Sequence, residues 1–334
     1  MPEPEVTEKL RPLPRLLSVV VPLYNEQEIV GELCRRILQV LRGLGCPFEL
    51  VLVDDGSRDK TRQRLMALSP TVPELKIVCL SRNFGLQGAV AAGLSQATGN
   101  AVVLMDGDLQ DPPELIAELL KRWREGAEVV FTVKRSRKER GLRRLAFATF
   151  HALFRRLGPQ GMPLNAGNFS LMDRRALDAI NALGEHNRYL PGLRTWVGFR
   201  QEELAFDRQE RAAGDPRMTF GRLVRLALDG IFGFSYLPLR AATFLGLAAC
   251  CLGLGLVLWV LIERFITHTA VLGWPSLMVA ICFLGGVQLV SIGILGEYLG
   301  RIYDEVRGRP NFLVSEIIQA HRQSSSESSS GGAT

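Results

Sequence analysis

Along the amino-terminal part of the chain, short apolar runs alternate with segments whose apolar positions recur every three to four residues. The short runs are too brief for helices and end in polar clusters, so they predict strands. They are Leu16–Val21, interrupted by Pro22, then Phe48–Val53, Lys76–Leu80, Ala101–Met105, Val129–Val133 and Gln201–Phe206. Ile29, Leu33, Ile37, Leu41 and Leu44 mark a helix over Glu28–Leu44. Further helices are expected over Arg58–Leu68, Gln87–Ala97 and Glu114–Glu125, the last opened by Pro112 and Pro113, residues suited to a first helical turn. Strands alternating with helices imply a mostly parallel sheet covered on both faces. Ligands bind such sheets beyond the carboxyl ends of the strands.

Two later runs, Ala241–Ile262 and Val271–Leu295, carry no charge. Crossing a bilayer takes about 20 residues, so both can span, and the short link Glu263–Ala270 makes them a hairpin. Gly253, Gly255, Gly285 and Gly286 offer points of close helix approach. Arg222, Arg225 and Arg240 precede the hairpin and Arg301, Arg307 and Arg309 follow it, while the link holds Arg264. Positive flanks stay in the cytosol, which places both ends there. Glu297 reads as an interfacial residue at a helix end. Leu142–Leu157 reads as a basic amphipathic helix, and residues 219–236 as an interfacial one. Residues 1–15 are polar and Pro-rich without the apolar core of a signal peptide. Residues 301–319 form a cytosolic segment, and 320–334 a Ser/Gly-rich disordered tail.

Charge and cysteine content narrow the partners. The net charge of +6 favours an anionic one, but no zinc-finger or RNP signature supports nucleic acid. Cys34, Cys46, Cys79, Cys250, Cys251 and Cys282 show no C-x-x-C spacing, so neither zinc nor a disulfide framework is indicated. Hydrophobic residues make up 47% of the chain and mean hydropathy is +0.12, which fits membrane attachment.

The chemistry gathers at the strand ends: Tyr24, Asn25 and Glu26; Asp54 and Asp55; Arg82 and Asn83; Asp106 and Asp108. In extended backbone, residues two apart leave on one face, so Asp106 and Asp108 can address one object, with Gly107 between them allowing close approach. Two hard oxygen ligands suit Mg²⁺ or Mn²⁺ shared with substrate phosphates. Alone, such a pair also describes a solvated turn; polar groups at four successive strand ends do not fit that reading. No G-x-G-x-x-G or Walker A sequence is present. Arg208, Arg211 and Arg217 surround Gly214 in a loop suited to clamping an anion.

Pro22-Leu-Tyr-Asn-Glu26, Val53-Asp-Asp-Gly-Ser57, Arg82-Asn-Phe-Gly85 and Met105-Asp-Gly-Asp-Leu-Gln-Asp-Pro-Pro113 together resemble family 2 glycosyltransferases of the GT-A, Rossmann-like fold. From about Leu16 to Phe312 the pattern is similar to the polyisoprenyl-phosphate glycosyltransferases. Gly296–Tyr303 and Arg307–Pro310 resemble the bacterial members, which act at the inner membrane in cell-envelope biogenesis. The resemblance implies a GT-A catalytic domain over 16–218 and a membrane part over 237–300. Pro22, Tyr24, Asn25, Glu26, Asp54 or Asp55, Arg82 and Asn83 would hold a nucleotide-sugar donor. Asp106 and Asp108, with Gln110, would hold the metal. The implied reaction is inverting transfer of a sugar from a UDP- or GDP-sugar to a polyprenyl phosphate, with undecaprenyl phosphate expected. Arg208, Arg211 and Arg217 would take the acceptor phosphate, and the oligomeric state is left open. Three residues depart from the family pattern: Asn165 and Asn168 where Asp is usual, and Met218 where Tyr is usual. Asn168, with Asp106 and Asp108, falls in the catalytic set. A processive polysaccharide synthase is disfavoured by the absence of Gln-x-x-Arg-Trp. A non-catalytic scaffold that kept the fold is the alternative from another class.

Overall fold

A computed structural model describes residues 10–134, 166–185, 188–206, 237–262, 265–266 and 273–319. They fall in two compact units. One is an eight-stranded sheet with its helices, and residues 310–319 rejoin it; the other contains two long helices. The strands are β1 (Leu17–Leu23), β2 (Phe48–Asp54), β3 (Leu75–Leu80), β4 (Ala101–Leu104), β5 (Val129–Lys134), β6 (Ala166–Asp173), β7 (Gln201–Phe206) and β8 (Val314–Gln319). The sheet helices are α1 (Val30–Gly43), α2 (Thr61–Leu68), α3 (Leu86–Gln96), α4 (Ile116–Arg124), α5 (Arg174–Ala182) and α6 (Leu190–Val197).

Alternation along the central strands sorts side chains into two cores. Val19, Val21, Leu50, Leu52 and Val103 face Leu33, Ile37 and Leu41 of α1 and Leu119 and Trp123 of α4. Val20, Val51, Val53, Val102 and Leu104 face Leu94 of α3, Ile180 of α5 and Leu190 and Leu193 of α6. α1 has no side-chain cap at its start. Its buried stripe holds it instead, each fully buried Leu or Ile contributing about 1.5–3 kcal/mol.

The strand order is β7-β5-β6-β4-β1-β2-β3-β8. The sheet is more mixed than expected: β6 runs antiparallel to β4 and β5, and β8 antiparallel to β3. Pro22 does not end β1. β4 pairs only with Leu17–Val20, and at Pro22 the paired neighbour is Val53 of β2, so the missing N–H interrupts no ladder with β4. β8 lies in the segment read only as a cytosolic stretch. Its apolar residues, Val314, Ile317 and Ile318, do not alternate and most of the strand is exposed, so the pairing with β3 defines it.

At the amino ends of the strands, Glu49 accepts from Ser18 Oγ at 2.5 Å, Thr98 N–H at 2.6 Å, Thr98 Oγ1 at 2.9 Å and Lys76 Nζ at 3.4 Å. This buried network ties β1, β2 and β3 to the turn before β4, on the side opposite the carboxyl ends.

In the second unit, α7 (Leu237–Ile262) and α8 (Trp274–Val306) are long and apolar enough to cross a membrane over Pro238–Trp259 and Val279–Val306. Few of these residues are buried; Phe244, Leu254, Trp259 and Leu289 are among many exposed apolar side chains. A soluble protein rarely exposes so continuous an apolar surface. Two expectations change here. α8 runs past Glu297, which pairs with Arg301 one turn on at 2.9 Å rather than ending the helix. A Cβ added at Gly253, Gly255, Gly285 or Gly286 would meet nothing within 4 Å, so these glycines mark no close helix contact.

Candidate active site

Three loops at the carboxyl ends of β1, β2 and β3 are bound to one another. Asn25 N–H donates to Ser57 Oγ at 3.0 Å, and Arg58 N–H donates to Asn25 Oδ1 at 2.9 Å. Glu26 N–H donates to Thr61 Oγ1 at 2.9 Å. The next join is Asp55, 3% exposed, whose carboxylate accepts the N–H groups of Phe84 at 2.7 Å and Gly85 at 3.0 Å. Burial pushes the Asp55 pKa up, against the pull of those two bonds. Gly56, at φ +64°, lies so close to the Arg82–Asn83 backbone that a Cβ would come within 2.6 Å of it. Asp54 is buried too and accepts Ser57 N–H at 3.1 Å. Both aspartates expected to meet a donor therefore also brace the loops. Tyr24 is half-buried and Pro22 buried, while Arg82 and Asn83 are exposed. The Arg82 guanidinium lies 4.2 Å from the Phe84 ring centroid.

The β4 end differs from the extended pair expected. Gly107 and Asp108 lie in a turn, so the two-residue spacing does not itself align the carboxylates. Asp108 Oδ1 accepts Gln110 N–H at 3.1 Å, closing a local turn that orients it. Leu109 follows at φ +58° and is buried. It and Asn25, at φ +54°, are the non-glycine residues of positive φ among the described residues. Such backbone costs of order 1–3 kcal/mol and persists where the surroundings over-determine it; both examples follow strand ends carrying candidate residues. The space beside Gly107 is taken by β1: a Cβ there would sit 2.5 Å from Leu23 and 2.9 Å from the Pro22 carbonyl. What approaches it is β1, which joins the β4 and β1 ends.

Asn168 on β6 reaches across to this turn, its Nδ2 donating to Asp106 Oδ1 at 3.3 Å. Asp106, Asp108 and Gln110 are half-buried and supply hard oxygens, the donor class a divalent cation prefers when it shares phosphate ligands. Among the described residues no three His, Cys, Asp or Glu side chains converge as a metal cage. Two carboxylates and the Gln110 amide would leave the remaining positions of such a cation to substrate oxygens. Asn165, Arg208, Arg211, Arg217 and Met218, the basic helix, residues 219–236 and the tail lie outside the described residues.

Residues 18–180 match glycosyl transferase family 2, and residues 237–302 match the GtrB C-terminal hairpin. An uncharacterized glycosyltransferase of Synechocystis sp. is 45% identical over 302 residues, covering 90% of this chain and 95% of that protein. The chain belongs to glycosyl transferase family 2. Its sheet unit is the GT-A, Rossmann-like domain expected from the motifs, and the two apolar helices are the hairpin. A bactoprenol glucosyl transferase of Shigella phage SfII is 37% identical over 301 residues, 90% of this chain and 97% of that one. Among solved structures, glucosyl-3-phosphoglycerate synthase from Mycobacterium tuberculosis aligns at 20% identity and TM-score 0.46, over 65% of this chain and 76% of that one.

Sequence reasoning missed Arg194 in this glycosyltransferase. It is 2% exposed and donates from Nη2 to the carbonyl of Gly167, the residue before Asn168, at 2.9 Å. The signal was present: Leu190, Leu193, Arg194 and Val197 recur at i, i+3, i+4 and i+7, the spacing of a buried helix face, with a cation in one place.

Proposed function

We propose that this glycosyltransferase moves a sugar from a UDP- or GDP-sugar to a polyprenyl phosphate, with undecaprenyl phosphate the expected acceptor, and that the anomeric centre inverts. The observation that carries the reading is the order of parts along one chain. Carboxylate-bearing strand ends precede an apolar hairpin, and similarity to a bactoprenol glucosyl transferase extends over 90% of the chain. The donor's nucleotide would lie against the loops holding Pro22, Tyr24, Asn25, Glu26, Asp54, Asp55, Arg82 and Asn83. Asp106 and Asp108, with Gln110, would hold Mg²⁺ or Mn²⁺. When bound, such a cation neutralises negative charge on the diphosphate.

In the transfer, an acceptor phosphate oxygen bonds to the anomeric carbon as the bond from that carbon to the nucleoside diphosphate breaks. The diphosphate leaves with the electron pair. The neutral amide of Asn168 is no general base, and none is needed. A phosphate monoester has a second pKa of about 6 and attacks as the dianion. Asn168 would instead position Asp106 and the acceptor, and Arg208, Arg211 and Arg217 would meet the acceptor phosphate.

Arginines flanking the hairpin support a cytosolic placement of the sheet unit and both termini in a bacterial inner membrane. Residues 16–218 would form the catalytic domain, 219–236 an interfacial helix and 237–300 the membrane part. The test supplies membranes containing the full chain with radiolabelled UDP- and GDP-sugars and undecaprenyl phosphate. Label should enter a lipid-extractable product with one donor. Asn168 favours one rival, a scaffold that has lost its chemistry; no transfer and no metal-dependent donor hydrolysis with any donor would establish it.

A further inference from the structure

Arg194 is held in an unusual state. Its Nη2 donates to the Gly167 carbonyl, and the guanidinium carbon lies 5.4 Å from the Phe131 ring centroid. Its Nε and Nη1 have no hydrogen-bond partner among the described residues. Burial lowers its pKa to about 10, with the Tyr189 phenol acting weakly the other way, so the side chain is still a cation at neutral pH. A ring face and one carbonyl do not neutralise a charge taken out of water, which is costly to keep unless something pairs with it.

Its place explains why it is kept. Gly167 lies where the β5–β6 register shifts, next to Ala166, which pairs with Val133 near the end of β5. The next residue, Asn168, reaches Asp106. Asn168 is neutral and supplies no counter-charge. Among the described residues no carboxylate pairs with Arg194 itself, so this end of β6 holds a buried positive charge one residue from the side chain that meets the β4 turn.

We propose that Arg194 is the built-in positive charge of the acceptor side of this site, and that the ligand it serves is a phosphate monoester dianion. The assignment rests on the phosphate-acceptor reading above. A guanidinium stays charged when buried and suits phosphate oxygens as a planar donor. A dianion gains twice as much from a fixed cation as a monoanion at the same distance.

The test uses the full chain in detergent at pH 8, with chelator present and inorganic phosphate as the probe. Phosphate should raise the unfolding midpoint of the wild type. Arg194→Met should weaken that dependence at least tenfold, while the shift produced by UDP or GDP with Mg²⁺ stays the same. In the transfer assay, Arg194→Met should raise the acceptor KM at least tenfold and leave the donor KM unchanged. Equal phosphate dependence in wild type and variant, or none in the wild type, overturns the proposal, as does a change confined to the nucleotide arm.

Should Arg194→Met not fold, Arg194→Lys decides. A buried ammonium loses its proton more readily than a guanidinium. Phosphate affinity of the Lys variant should therefore fall as pH rises from 7 to 9, a range in which wild-type Arg194 stays largely charged and the wild type changes little. Tyr189, whose pKa burial pushes up, stays neutral over most of that range, and Phe131, Gly167 and Gln201 do not titrate. A flat profile in the Lys variant overturns the proposal. Phosphate binding that depends on Arg194 without any sugar transfer would remove the transferase reading and keep the site. Transfer with an unchanged acceptor KM in Arg194→Met does the reverse.

Discussion

Asp55→Ala separates two roles that one carboxylate can play at a strand end. If Asp55 braces the loops, its loss is felt without any ligand. The two N–H groups it accepts, from Phe84 and Gly85, stand at the start of α3, where backbone donors have no helical partner. Leaving each unsatisfied costs about 1–3 kcal/mol. Burial raises the folded pKa of Asp55, so the folded protein holds this proton more tightly than the unfolded chain. Its contribution is therefore largest below the ordinary aspartate pKa of about 3.9 and shrinks as pH rises through the raised value. At neutral pH the lower part of the range applies, about 2–3 kcal/mol for the pair of bonds. For a unit of this size that is about 4–12 °C in Tm. The released loop carries Arg82 and Asn83, so the donor KM should rise by roughly tenfold, equivalent to about 1.4 kcal/mol. Differential scanning of the ligand-free protein at pH 7.5 reads the first effect and donor titration the second. An Asp55→Ala protein that melts with the wild type and loses only donor affinity would show that the carboxylate is a ligand and refute the bracing argument.

Three further outcomes are expected. Burial by itself would raise the Glu49 pKa, but the bonds from Ser18 and Thr98 and the charge of Lys76 outweigh it and leave it low. Its contribution is thus whole above about pH 4.3 and is lost as pH falls through the lower folded value. Glu49→Gln, which turns an amide toward Lys76, should cost about 1.5–3 kcal/mol at neutral pH and flatten the acid limb of a melting-temperature profile; an unchanged limb counts against the network. Asp108→Ala should abolish transfer while shifting Tm by no more than a few degrees, and equal activity in EDTA would remove the metal assignment. Transfer at subsaturating acceptor should rise with pH through about 6 and then level off, and Asn168→Asp should change the rate by roughly tenfold or less; an inert wild type rescued by Asn168→Asp would mean that an acid is required at 168.

Much of this protein was readable from its residues in order. The strands from β1 to β5 and β7 fell within a residue or two of their apolar runs, and α1 followed its stripe of Leu33, Ile37 and Leu41. The hairpin was plain from two uncharged runs. These features are local: covalent geometry sets a period of two for a strand and 3.6 for a helix, and the bilayer sets a length. The polar residues at successive strand ends were also visible, because a strand that stops must meet water or a ligand.

Tertiary structure decided what those residues touch. The sequence places Asp55 beside Asp54, but only the approach of the β3 loop turns its carboxylate to the Phe84 and Gly85 amides. The sequence shows that something can come close to Gly107, but only the packing shows that β1 does. Asn168 lies 62 residues from Asp106 and meets it because β6 pairs antiparallel with β4. β8 exists because β3 has a free edge for it, far back in the chain. The spacing of Leu190, Leu193, Arg194 and Val197 marks a buried helix face, but only the packing on β5 and β6 leaves two of the Arg194 nitrogens without a partner among the described residues. Contacts of this kind depend on which strand lies beside which, and that order is set by packing the whole sheet at once.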